Sequence, residues 1–128
     1  MPVKLSNPDG VFPPGSRYSH AALMEGGGRR LVVSGQVGLT PDGHLDRDAE
    51  EQMRQALANL GVVLSAHGMG PRNVAKITVF LTDRELVPLW REVRDAFFDG
   101  HAPASTLLIV AGLADPRFVV EVEAEAAD

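Results

Sequence analysis

Apolar and polar positions follow two different periods along this chain, and each switch between periods marks a change of element. RYSHAALME and RRLVVSGQVGL flank Gly26-Gly27-Gly28. They read as two strands of a hairpin, because consecutive glycines reach the positive φ angles of a tight turn without steric cost. After the loop TPDGHLDRD the period lengthens. Met53, Ala56, Leu57, Leu60, Val63 and Leu64 recur at helical spacing and make one apolar stripe. Asp48, with Glu51 three residues on, is a capping-box-like start, and Gly68, Gly70 and Pro71 are the stop.

In NVAKITVFLTD alternation returns, placing Ala75, Ile77, Val79 and Leu81 on one face and Lys76, Thr78, Phe80 and Thr82 on the other. Asp83 predicts the cap of a second helix that tolerates Pro88 in its early part. Leu86, Leu89, Trp90, Val93 and Phe97 form the buried stripe of that helix, and Gly100 and Pro103 end it. STLLIVAGL and FVVEVEAEA are the closing strands. The predicted order is ββαβαββ, one α+β domain over residues 1–128 with an extended, proline-rich lead over 1–16. Right-handed crossovers put both helices on the same face of a mixed sheet, a two-layer sandwich. No helix remains for the other face, which carries Phe80 and is too apolar to stay wet, so a second copy of the chain is expected to cover it.

Composition narrows the function. Twelve Lys+Arg against seventeen Asp+Glu give a net charge of −5 with the arginines dispersed, which weighs against a nucleic-acid partner. The absence of cysteine removes disulfide, thiolate and Cys-zinc chemistry and fits a reducing, cytoplasmic setting. No run of about 18 apolar residues predicts a membrane span, and the polar start carries no signal-peptide pattern. His20, His44, His67 and His101 are scattered without ligand spacing, so no metal is expected. Nucleotide, dinucleotide and serine-hydrolase fingerprints are missing as well, so those enzyme classes lack their basic signals.

The candidate chemistry lies in the last strand. Phe118, Val120, Val122 and Ala124 share one face, and Val119, Glu121, Glu123 and Glu125 share the face without helices. A solvated row of charges is the ordinary reading of Glu123 and Glu125. Glu121 lies furthest inside the strand, where partial burial would raise its pKa and make it a base or a water-orienting group. Ser34-Gly35 interrupts an apolar strand, which marks either a bulge or a close approach of backbone or ligand. Tyr18 is the only tyrosine. Arg91 follows Trp90, off the centre of the helix stripe.

RYSHA, VVSGQVGLTPDG, EEQMRQALANLGVVLSAHG, VAKITVFLTD, AFFDGHAPAS and VVEVEAEAA, in this order, resemble the RidA family of reactive-intermediate deaminases from about Tyr18 onward. The resemblance implies a chorismate-mutase-like fold, a homotrimer with helices outside and three clefts between neighbouring subunits. It also implies hydrolysis of imines and enamines such as 2-aminoacrylate, without metal or organic cofactor. By the same resemblance Glu121 matches the water-placing glutamate, Tyr18 the cleft tyrosine and Ser34-Gly35 the strand lining the pocket. The chain departs from the family where an arginine in PARS grips the substrate carboxylate. Here the segment is Pro103-Ala104-Ser105-Thr106, so a neutral hydroxyl at Ser105, beside Thr106, replaces a charged fork. Arg91 stands where asparagine is common and would restore positive charge from another wall; His20 stands where glutamine is common. The alternatives are a non-catalytic, metabolite-binding or regulatory trimer and, last, a ribonuclease.

Overall fold

The computed structural model describes residues 3–128. Along the chain the elements are β1 (Val3–Ser6), β2 (Ala21–Glu25), β3 (Arg29–Gln36), α1 (Ala49–Ser65), β4 (Val74–Leu81), α2 (Val87–Phe98), β5 (Ala104–Ile109) and β6 (Val120–Ala127). The strands form one mixed sheet in the order β1-β2-β3-β6-β4-β5. Every neighbouring pair is antiparallel except β4 and β5, whose parallel pairing requires the crossover that α2 supplies. The α+β architecture predicted from the periodicities is the one observed, with one strand added. Within the segment predicted as an extended lead, Val3–Ser6 pairs with β2 from Val3↔Met24 to Ser6↔Ala21. Four residues are too few to display a period, which is why the strand is invisible in the sequence.

Local chemistry decides the boundaries. β2 begins at Ala21 rather than at Arg17 because preceding amides are used elsewhere: Tyr18 N–H bonds the Ser16 carbonyl, and His20 N–H bonds Asn7 Oδ1 at 2.8 Å. Asp48 caps α1, accepting from the Glu51 amide at 3.2 Å, and the predicted stripe from Met53 to Leu64 is buried throughout. Asp83 caps a short 3-10 turn, Arg84–Leu86, which then runs into α2 with Pro88 in its first turn. On α2 the deepest side chains are Trp90, Val93 and Phe98, with Phe97 only partly covered. In β4 the inward residue is Val74, not Ala75, which is exposed. A register shift against β6 between Val74 and Lys76 breaks the alternation there.

The core lies between the helices and one sheet face, centred on Leu31, Leu57, Leu60, Ile77, Trp90 and Val122. Phe80, paired across the sheet with Glu121 on one side and Leu108 on the other, belongs to the opposite face, which no helix of the chain covers. No helix among the described residues is long and apolar enough to cross a membrane. Truncating Leu60 would leave a void that this close-packed layer cannot fill. Leu60→Ala is therefore expected to lower unfolding stability by about 2–5 kcal/mol, read as an earlier midpoint in chemical denaturation with an unchanged slope.

Candidate active site

The site begins with an irregularity in β3. Val33 pairs with Ala124 and Gln36 with Val122, so Ser34 and Gly35 together oppose the single residue Glu123. Two residues against one is a β-bulge, and it lets Gln36 re-enter the buried layer while Ser34 and Gly35 border the uncovered face. A Cβ placed on Gly35 would lie 1.9 Å from Glu121 Oε2 and 2.7 Å from its Cδ. The Glu121 carboxylate therefore rests directly against the bulged backbone.

Around this contact opens a cavity of about 580 Å³ whose walls include Phe12, Tyr18, Val37, Leu39, Phe118 and Glu121. Ser34, Gly35, His20, Gln36 and Asn59 complete its inner side. Most of these polar side chains are already committed. The buried His20 ring has the Phe12 carbonyl at 2.8 Å from Nε2 and Gln36 Nε2 at 3.0 Å from Nδ1. A carbonyl only accepts and an amide NH₂ only donates, so His20 carries its proton on Nε2. Gln36 Nε2 also donates to the Ser34 carbonyl at 3.1 Å, and Ser34 Oγ donates to the Ser19 carbonyl at 2.6 Å. Asn59 Nδ2, from α1, donates to the carbonyls of Val37 and Leu39 at 2.9 and 2.8 Å.

Among the described residues, the one carboxylate of the cavity is left without such a partner. Glu121 is half-buried and forms no ion pair among the described residues; burial pushes its carboxyl above the ordinary glutamate range, and the neighbouring Glu123 charge adds to the effect. No lysine or arginine lines the cavity to counter it. Lys76, two residues along β4 from Thr78, is turned to other work, donating to Thr106 Oγ1 at 2.6 Å and to the Ile77 carbonyl at 3.1 Å.

Of the residues proposed from sequence, Tyr18, Ser34, Gly35 and Glu121 meet in this cavity. The edge of the Tyr18 ring meets His20, with 5.8 Å between centroids. Ser105 and Thr106 lie on β5, opposite Ile77 and Thr78, and are not among the cavity walls. Arg91 is exposed on α2, in the helical layer behind the sheet. Sequence reading passed over Gln52 and Asn59, two buried amides that anchor the loops of the site. Gln52 Nε2 donates to the carbonyls of Asp46 and Arg117 at 3.0 Å each, and its Oε1 accepts from the Val119 amide at 3.0 Å, two residues before Glu121. The signal was available: both amides interrupt or border an apolar stripe, where an uncommitted side chain would be costly.

Comparison with known proteins agrees with this architecture. Residues 11–128 match the family described as endoribonuclease L-PSP. The chain is 40% identical over 110 residues to the mouse 2-iminobutanoate/2-iminopropanoate deaminase, spanning 84% of this chain and 78% of that one. It is 36% identical over 98 residues to the human protein of the same name, covering 75% and 69%. Among solved structures, Escherichia coli TdcF with bound serine superposes with a TM-score of 0.89 at 27% identity, covering 98% of each chain. Yeast Mmf1 superposes with a TM-score of 0.90 at 25% identity over 99% of each. A sheet of this topology with two helices on one face, a glutamate set against a bulged strand, and a family match over nearly its whole length make the chain a member of the endoribonuclease L-PSP, or RidA, family.

Proposed function

We propose that the protein is a cofactor-independent deaminase of small imines or enamines, working in clefts between the subunits of a homotrimer. The observation that carries this proposal is the half-buried Glu121 carboxylate, unpaired in a cavity whose other polar groups are largely satisfied from within. The names of the mouse and human relatives support the same chemistry. In the reaction, the oxygen of water bonds to the imine carbon, the carbon–nitrogen bond breaks, and nitrogen leaves as ammonia while a carbonyl remains. Glu121 holds the attacking water, takes up one of its protons and returns it to the departing nitrogen, which receives the other as the carbonyl forms; a raised pKa brings a carboxylate closer to the strength such a base needs. A protonated imine is a cation, so an unpaired carboxylate also favours the form of the substrate that water attacks most readily. Tyr18, Ser34 and Gly35 form the wall on the same chain.

Ser105 and Thr106, on β5, enter this scheme from a neighbouring copy laid on the uncovered sheet face. That face exposes Leu108 and borders Tyr18, both large apolar-bodied side chains left in water by the single chain. A second function, a metabolite-binding trimer without turnover, is favoured by one observation: among the described residues no lysine or arginine lines the cavity of the single chain, so the one charged side chain a substrate carboxylate would meet there is Glu121.

Glu121→Gln keeps the shape and removes the base. Ammonia release from freshly generated 2-aminoacrylate is expected to fall about 10²- to 10⁴-fold, the usual size of a general-base contribution. In the parent protein the rate should fall with acid along a limb above the ordinary glutamate pKa of about 4.3, because the ionised form is the active one. Folding responds with the opposite sign. A carboxyl whose pKa is raised in the folded state destabilises that state when ionised, so Glu121→Gln should raise the melting temperature at neutral pH by about 1–3 °C. The gain should vanish as pH drops below the free-glutamate value. Ser105→Arg is expected to raise kcat/KM for 2-aminoacrylate by about tenfold or more, the worth of one charge-assisted contact near 1.4 kcal/mol. Sedimentation equilibrium should give three times the chain mass; a monomer at micromolar concentration would exclude a shared cleft.

A further inference from the structure

We infer that Gly35 is a positioning residue for Glu121: the side chain it lacks is the space in which the Glu121 carboxylate lies. The inference rests on the role given to Glu121 above and extends it to a residue of another strand. A regular antiparallel strand turns successive residues to opposite faces, so a residue following Ser34 would ordinarily point into the helical layer. The bulge cancels that alternation, since residues 34 and 35 share one partner, Glu123, and Gln36 is the next to be buried. Both bulge residues thus border the cavity, and the second stands where the carboxylate of Glu121 reaches back across the pair.

The three atoms nearest the would-be Cβ of Gly35 all belong to the Glu121 side chain: Oε2 at 1.9 Å, Cδ at 2.7 Å and Cγ at 3.0 Å. The glycines of this chain are not alike in this respect. Gly38, three residues on, would drive a Cβ to 2.7 Å from Gln52 Cα and 2.8 Å from its carbonyl oxygen, both backbone atoms of α1 that cannot yield. Gly38 is therefore a packing glycine, and a substitution there must disturb the fold. At Gly35 the obstacle is the far end of a flexible side chain, and the backbone is not held in the left-handed region that only glycine favours. An alanine at 35 meets the Glu121 side chain first, and its carboxylate is a group that can move aside.

Two consequences follow for the site. Contact with the bare backbone of β3 excludes water from one side of the carboxylate, which accords with the burial that raises its pKa. The same contact limits the rotamers open to Glu121, fixing a base that has no hydrogen-bond partner among the side chains around it. Gly35 does not touch the reacting atoms in this role; it acts through Glu121.

The test uses the full chain, with Gly35→Ala alone and combined with Glu121→Gln. The expected result is a melting temperature within about 2 °C of the parent and a kcat about 100-fold lower, the loss that roughly 1 Å of misplacement produces. In the Glu121→Gln background, adding Gly35→Ala should change kcat less than about twofold, since a glycine that acts through the carboxylate has nothing left to act on. Carbon-13 NMR of the Glu121 carboxyl reads the same contact without turnover: its titration midpoint should fall toward the free-glutamate value of about 4.3 in Gly35→Ala. A midpoint unmoved by Gly35→Ala, or a loss of kcat that persists in full on top of Glu121→Gln, would overturn the inference. Full turnover by Glu121→Gln with a shifted midpoint would instead remove the deaminase role of Glu121 and leave the positioning contact standing.

Discussion

Burial of α1 across the middle of the sheet is the constraint on which the other features depend. Its stripe from Met53 to Leu64 is sealed against β3, β6 and α2. The price of that burial falls on two amides carried into the dry layer with it, Gln52 and Asn59. Each must find partners, because a buried amide left unbonded costs roughly 1–3 kcal/mol. Asn59 finds the carbonyls of Val37 and Leu39 and receives the Gln55 amide, while Gln52 finds Asp46, Arg117 and Val119. Seating the helix therefore also fixes the loop after β3 and the entry to β6, the two segments between which the cavity opens. Packing energy is converted into the placement of a site.

The same economy of partners explains why one carboxylate stands out. His20, Gln36, Ser34 and Asn59 face the cavity but spend hydrogen-bonding capacity on the protein itself. They act as walls whose polarity is largely internal. Glu121 is the carboxylate that does not, and a carboxyl pushed up by burial opposes folding when ionised. A fold with a large apolar core tolerates that cost, and sites that act on substrates are where such costs are commonly retained.

Much of the architecture was legible in the sequence because it is periodic. The capped start at Asp48, the stripe of α1 and the in-out alternation of Val120, Val122 and Ala124 against Glu121, Glu123 and Glu125 appear as predicted. The misses are aperiodic. β1 is too short to show a pattern, and a register shift at Val74 defeats an alternation count that assigned Ala75 inward. The bulge was half legible: Ser34-Gly35 suggested either a bent strand or a close approach of backbone or ligand, and the bent strand occurs, while the group that approaches Gly35 is the side chain of Glu121. The roles of Gln52 and Asn59 were hidden because most of their partners lie 20 to 67 positions away. Ser105, Thr106 and Arg91 sit on elements outside the single-chain cavity, so their meaning depends on geometry that no span of sequence contains.

The position of β6 in the sheet has a kinetic corollary. It is inserted between β3 and β4, which have no direct pairing, so the hairpin side (β1 to β3) and the crossover side (β4 with β5) are joined only through it. Yet it follows every other strand in chain order. During synthesis the nascent polypeptide can form local turns and helix, but the two halves must wait, with unsatisfied strand edges, until residues beyond 120 emerge from the ribosome. Closure then resembles a late, long-range zippering step rather than a progressive one, which favours slower folding and a transient need for edge protection.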